Sequence, residues 1–190
     1  IFIIFYGGFG TKWSAAKPIA GRAVLLSTAG VFLTAMGLGI FSHFALRLGW
    51  MESMLIGAVL SSTDAASVFS ILRSRKLSLK YGTASLLEVE SGSNDPVAYL
   101  MTTILLTMMT TEISPGRIVY MIFAQIAYGV VIGAALALAI GFFLRRFRFE
   151  TSGFDMVFML ATAILAYVLP CLIGGNGYLS AYIAGIILGN

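Results

Sequence analysis

Long apolar runs separated by short polar loops constrain the fold of this chain more than any other feature. A helix that crosses a bilayer needs about 20 mostly apolar residues. Hydrophobic residues make up 59% of the 190 residues and charged residues only 11%, against about 25% charged residues in soluble proteins. The sequence therefore predicts an all-α polytopic membrane protein, with helices at 1–9, 24–46, 53–72, 83–111, 118–144, 156–173 and 178–189.

The two ends of the chain are apolar. It opens with IFIIFY, with neither an initiating Met nor the basic region of a signal peptide, and closes with GIILGN. We therefore expect an internal piece of a longer protein. Cys171 is the single cysteine, which excludes an internal disulfide and a multi-cysteine metal site.

The basic residues predict the orientation, because Lys and Arg concentrate on the cytoplasmic side of membrane proteins. Of the 12 Lys and Arg residues, all but Arg47 and Arg117 fall in alternate loops. These loops, 10–23, 73–82 and 145–153, are predicted to be cytoplasmic. The net charge of +4 is thereby explained without nucleic-acid binding.

Carboxylates within the predicted spans are the exception to the apolar pattern. At about 1.5 Å per helical residue, Asp95 lies about 22 Å along its helix from Lys80, and Asp64 about 14 Å from Arg73. Both positions are near the middle of a bilayer, where an ionisable side chain is costly and marks a functional site by default. Glu88 and Glu90 share the helix of Asp95.

The string EVESGSNDP orders polar side chains on this helix. Ser91 and Asp95 are four residues apart and therefore share a face, where they offer the oxygen ligands that hard cations prefer. Glu90 and Asn94 share a second face, turned by about 100°, from which they are predicted to brace neighbouring helices. Pro96 has no N–H to donate to the carbonyl of Gly92.

The string SSTDAAS interrupts another apolar span. Ser, Thr and Asp are N-cap residues, so a run of them at membrane depth predicts a broken helix. Such breaks near the bilayer midplane are typical of secondary transporters. The alternative is an unbroken helix whose hydroxyls donate to i−4 carbonyls.

Together these residues resemble a known family. STDAASVFSIL, LLEVESGSNDPVAYL and GNGYLSAYIAGIILGN are similar to segments of the NhaP-type cation:proton antiporters, and most similar to the bacterial cell-volume-regulation potassium/proton branch. The resemblance covers essentially the whole chain. It implies part of an inverted-repeat sodium/proton antiporter fold with a broken transmembrane helix.

The resemblance also implies a site for cation and proton. Asp95 matches the carboxylate that binds either ion in turn, and Ser91 matches a cation ligand. Thr63 and Asp64 match the crossover of the broken helix and join the predicted Na⁺ or K⁺ site.

Two further residues match supports of that site. Asn94 matches an amide that braces the crossover, and Glu90 matches an acid paired with an arginine from a later helix, which this chain lacks. Tyr6 departs from the family pattern, which often has an acid before the Gly-Gly of the first helix. A cation ligand from that helix is therefore not predicted.

By the same resemblance, residues 1–19 are the end of a scaffold helix and a cytoplasmic loop, and residues 20–112 are core helices of the first repeat. Residues 113–150 are a linker helix, and residues 151–190 are scaffold helices that form a homodimer. The second repeat is expected beyond Asn190.

The resulting hypothesis is a secondary antiporter, not an enzyme, that needs no cofactor. It exchanges Na⁺ or K⁺ for a proton across the bacterial inner membrane, with a role in pH and volume homeostasis. Because Asn94 stands where some relatives have a second acid, one-for-one electroneutral exchange is expected. The alternatives are an acid-lined cation channel and an intramembrane aspartyl protease that uses Asp64 and Asp95.

Overall fold

The computed structural model describes residues 1–74, 79, 83–147 and 153–190. Helices and short connections account for all of these residues. We label the helices in chain order, treating the continuous helical stretch from Trp13 to Leu46 as one helix. They are α1 (Phe2–Gly10), α2 (Trp13–Leu46), α3 (Trp50–Leu60), α4 (Ala65–Ser74), α5 (Thr83–Thr110), α6 (Pro115–Arg146), α7 (Phe154–Cys171) and α8 (Gly177–Gly189).

Helix α2 begins well before the predicted span. The prediction of a loop over 10–23 is wrong, since only Thr11 and Lys12 separate α1 from α2. Pro18 did not end the helix, because it lies in a short 3₁₀ turn at Lys17–Ile19, at a first-turn position that needs no N–H donor. The predicted loops 73–82 and 145–153 lie largely outside the described residues.

A π-helical turn, Leu26–Gly30, interrupts α2 and packs against α5. The hydroxyls of Ser27 and Thr28 donate to the carbonyl of Val24, at 3.2 and 2.7 Å. Such turns occur mostly as single interruptions of α-helices. No pattern in the sequence predicts this one.

The chain divides into two compact units. One comprises residues 15–123. In it α2 and α3 form a close hairpin, and α5 packs against α2, α3 and α4. The turn between α2 and α3 contains Arg47, a left-handed residue at φ 55°. The His43 ring nitrogen Nδ1 lies 2.7 Å from the Leu48 carbonyl across the same turn.

The predicted helix break is confirmed. Helix α3 ends at Leu60 and α4 begins at Ala65, so residues 61–64 are a non-helical crossover. The Ser61 hydroxyl donates to the Ala58 carbonyl at 2.7 Å and so closes the end of α3.

The second unit comprises residues 1–14 and 124–190. Its core is built largely from alanines on α6, α7 and α8 together with Phe5. A Cβ at Gly133 would lie 2.9 Å from the Ser180 Cα, so α6 and α8 approach closely, as small residues allow in membrane proteins. Asn176 caps α8 by accepting from the Leu179 N–H at 3.0 Å.

Three helices in the described part of the chain are long and apolar enough to cross a membrane by length and composition: α2, α6 and α7. Helix α5 has 28 residues, a length of about 42 Å, which exceeds the roughly 30 Å of a bilayer core. Its acids and hydroxyls keep it below the hydropathy of the other three.

Candidate functional site

The middle of α5 faces the crossover. Asp95 lies about 18 Å along α5 from Thr83 and about 22 Å from Thr110, at 1.5 Å per residue. Asn94 beside it is fully buried, with 0% of its surface exposed. The crossover and the middle of α5, which are about 30 residues apart in the sequence, bring their polar groups together.

Asn94 connects α5 to the crossover. Its Nδ2 donates to the Thr63 hydroxyl, and lies 3.5 Å from the Glu90 Oε1. The structure thus joins two of the residues singled out in the sequence, in an arrangement that suits the predicted bracing role of Asn94.

Ser62, which the sequence did not distinguish as a site residue, also contacts α5. Its hydroxyl donates to Asp95 Oδ1. The Ser62 Oγ also lies 3.3 Å from Asn94 Oδ1 and 3.3 Å from the Thr63 carbonyl oxygen. The available signal was membership of the Ser-Ser-Thr-Asp run, but irregular backbone has no periodicity from which to predict where a side chain points.

Asp64 is placed differently from the other site residues. Its carboxylate accepts from the Ala66 N–H at 3.0 Å and from the Ser67 hydroxyl, so it caps the first turn of α4. This is the N-cap geometry that the residue types predict. The contacts described for this carboxylate lie on α4, not on Asp95.

Ser91 and Glu90 lie one turn before Asn94 and Asp95. Ser91 is buried, and its hydroxyl donates to Glu90 Oε2 at 3.3 Å. Glu90 therefore accepts from both Ser91 and Asn94, and the predicted division of α5 into a ligand face and a bracing face is not sharp. Glu88, one turn earlier again from Ser91, is half-buried.

Oxygen atoms dominate the site at the crossover. Oδ1 of Asp95, Oδ1 of Asn94, the Thr63 carbonyl and the Ser62 hydroxyl converge there. A single carboxylate among neutral oxygens suits a hard cation of low charge. The same carboxylate can accept a proton instead.

The whole chain matches known transporters. The family model "Sodium/hydrogen exchanger, transmembrane" matches residues 1–190. The K(+)/H(+) antiporter NhaP of Alkalimonas amylolytica is 34% identical over 100% of this chain and 33% of its own length. The K(+)/H(+) antiporter NhaP2 of Shewanella oneidensis is 32% identical over 99% of this chain and 33% of its own.

A solved structure gives the same fold. The sodium proton antiporter MjNhaP1 of Methanocaldococcus jannaschii superposes with a TM-score of 0.80 at 23% identity, over 99% of this chain and 46% of its own. The predicted fold class is thus confirmed, and the alternatives of a channel and a protease are not favoured, since these relatives are named antiporters. The chain spans about a third of the length of the relatives it matches. Because the family model covers every residue, the chain belongs to the sodium/hydrogen exchanger family.

Proposed function

We propose that the protein containing this chain exchanges Na⁺ or K⁺ for a proton across the bacterial inner membrane by alternating access. The observation that carries the proposal is the convergence of Asp95 with the oxygens of the crossover at the middle of α5. The named relatives, two potassium/proton antiporters and one sodium/proton antiporter, support exchange of a monovalent cation.

Asp95 is the group that binds either ion in turn. A bound proton or a bound monovalent cation neutralises its carboxylate, and the neutral site can then move between the two sides of the membrane. The unloaded carboxylate carries an uncompensated charge, which is costly in an apolar environment. Movement of the site across the membrane without a bound ion is therefore disfavoured. Each cation moved in one direction is matched by a proton moved in the other.

The neighbouring residues have supporting roles. Asn94 adds a polar amide without adding charge, which makes the exchange electroneutral. Thr63 and Ser91 contribute oxygens toward the cation, and Asp64 keeps the crossover in place from the start of α4. Glu90 holds Ser91 and Asn94, and pairs with an arginine from outside this chain.

The larger assembly follows the family resemblance. Residues 20–112 belong to the mobile core, 113–150 to the linker, and 1–19 with 151–190 to the scaffold through which two copies form a homodimer. The exchanged ions are the substrates, and no cofactor takes part. The exchange serves pH and volume homeostasis.

The test is ion-driven proton flux in proteoliposomes that contain the full-length protein. We expect Na⁺ or K⁺ added outside to drive proton movement without an imposed voltage. Asp95→Asn should abolish that flux and keep the wild-type melting temperature, because the amide matches the carboxylate in shape but cannot exchange a proton. Wild-type flux in Asp95→Asn contradicts the assignment of Asp95, and no flux for any cation in wild type contradicts the function.

A further inference from the structure

The Ser62 hydroxyl lies among acceptors. The three oxygens around it, on Asp95, Asn94 and the Thr63 carbonyl, are hydrogen-bond acceptors when Asp95 is ionised. Its one proton is therefore the only hydrogen-bond donor that the Ser62 side chain can offer to all three. A cation that enters the same space meets the same acceptors.

We propose that the Ser62 oxygen is a direct ligand of the transported cation, and that its proton holds the cation's place while the site is empty. The inference rests on the proposed function. A serine hydroxyl has two lone pairs and one rotatable proton. When a cation arrives at Asp95, rotation about the Cβ–Oγ bond turns the proton away and presents a lone pair to the ion.

The location of Ser62 favours this role. It is on the crossover, where no helix periodicity fixes its side chain, whereas the hydroxyl of Ser61 beside it donates back to α3 at 2.7 Å. Ser62 is half-buried, so the hydroxyl has limited access to water as an alternative partner.

Among the side chains that the structure describes on the packed helices, no charged group takes the place of this contact. Helix α5 packs against α2, α3 and α4. Besides Asp95, the titratable residues of these helices, of the crossover and of α5 itself are Lys17, Arg22, His43, Glu52, Asp64, Arg73, Glu88, Glu90 and Tyr99. Among these, Asp64 interacts electrostatically with Asp95, and it has the same sign of charge, so it offers no donor. The hydroxyl of Ser62 is the side-chain donor described for the Asp95 carboxylate.

Replacement of the oxygen by sulfur distinguishes a ligand from a positioning residue. Sulfur is a soft donor that binds Tl⁺ better than it binds the hard alkali ions. In proteoliposomes of the full-length protein, we expect Ser62→Cys to raise the apparent KM for K⁺ and Na⁺ by about tenfold, the loss of one charge-assisted contact. The ratio of the Tl⁺ to the K⁺ specificity constant should rise by a similar factor. Ser62→Thr keeps the hydroxyl and should therefore keep the wild-type KM and the wild-type ratio. Ser61→Cys is the matched control, which should change neither the KM nor the ratio.

Each result decides the inference. An increased Tl⁺ preference in Ser62→Cys, absent from Ser61→Cys, supports direct ligation. A raised KM with an unchanged ratio makes Ser62 a positioning residue and overturns the proposal, as does wild-type behaviour. If wild type exchanges no cation for protons, the proposed function fails instead, and Asp95→Asn provides the inactive reference. Should Ser62→Cys not fold, the ratio is measured for Ser62→Ala and for Ser62→Thr, which keeps the hydroxyl. Loss of a hard oxygen ligand should weaken K⁺ more than the softer Tl⁺, so the proposal then requires a higher Tl⁺/K⁺ ratio in the Ala variant and the wild-type ratio in the Thr variant.

Discussion

Asn94 is held at both ends of its amide. The nitrogen donates to the Thr63 hydroxyl and lies 3.5 Å from Glu90, and the oxygen lies 3.3 Å from the Ser62 hydroxyl. With 0% of its surface exposed, it has no water to replace these partners. A buried polar group left without a partner costs about 1–3 kcal/mol.

Asn94→Ala is therefore expected to lower the melting temperature of the protein in detergent, because it removes the buried amide that ties α5 to the crossover at Thr63 and Ser62. The decrease should correspond to about 1–3 kcal/mol, and exchange in proteoliposomes should fall with it. A variant that melts and transports like wild type would show that the amide does not brace the crossover. Thr110→Ala, at the exposed end of α5, is a control that removes a hydroxyl far from the site.

Asn94→Asp tests the charge of the site. It places a second carboxyl group next to Asp95, and two such neighbours titrate in coupled steps that belong to the pair. We expect the pH dependence of exchange to change in shape, and the exchange to become sensitive to an imposed membrane voltage if both carboxylates carry ions. An unchanged pH profile together with voltage-independent exchange would contradict the single-carboxylate basis of electroneutrality.

The residue types of the site were predictable, but not all of their contacts. Asp95 stands out by its depth, because a carboxylate at the centre of a span is costly, and Asn94 by its spacing from Glu90 and by the family resemblance. Ser62 and Asp64 belong to irregular backbone, where side-chain direction follows from local φ and ψ values rather than from spacing. The sequence therefore indicated four capping residues, of which Asp64 caps α4, but it did not show that Ser62 turns to Asp95.

At the scale of the helices, α2 and α3 form a hairpin with very close backbones. A Cβ at Gly57 would overlap the Ala35 carbonyl oxygen and would lie 2.9 Å from the Gly39 nitrogen. These obstacles are backbone atoms, which cannot move aside as a flexible side chain can. The hairpin leads directly into the crossover, so its spacing helps to set the position of residues 61–64.

Gly57→Ala is expected to force α2 and α3 apart. Overpacking of this kind costs about 1–3 kcal/mol, which should appear as a lower melting temperature and as reduced exchange. Gly37→Ala is the matched control on α2, because nothing lies within 4 Å of a Cβ at that position. Equal melting temperatures for the two variants would refute the close approach of the hairpin.

The helices differ in how well the sequence defines their ends. The break after Leu60 was predictable because capping residues concentrate there against an apolar background. The start of α2 at Trp13 was not, because Lys17 and Arg22 resemble a solvated loop and Pro18 resembles a stop. Pro18 lies at the start of the 3₁₀ segment Lys17–Ile19, where a proline needs no N–H partner, so the basic segment continues the helix beyond its apolar part.

Across the whole molecule, small side chains are inside and large ones outside. The buried hydrophobic residues are mostly alanines, whereas Phe41, Phe142 and Met156 are 67%, 75% and 71% exposed. This is the reverse of a water-soluble core and agrees with a lipid environment, in which large apolar side chains need no burial and small ones allow close helix contacts. The composition predicted the environment, while the pairing of helices within each unit required the structure.

The orientation of the molecule is testable at the two ends of α6. This helix has 32 residues, about 48 Å at 1.5 Å per residue, and is long enough to place Ser114 and Arg146 on opposite sides of a bilayer. Since Arg145 and Arg146 belong to the basic side, that end is expected in the cytoplasm.

In a Cys171→Ala background of the full-length protein, freed of any other cysteine, a membrane-impermeant maleimide should label Ser114→Cys in right-side-out vesicles and Arg146→Cys in inverted ones. Both positions are exposed, so access to them depends on the side of the membrane. The reverse labelling pattern would invert the proposed orientation, and labelling of both variants in the same vesicles would show that α6 does not cross the membrane.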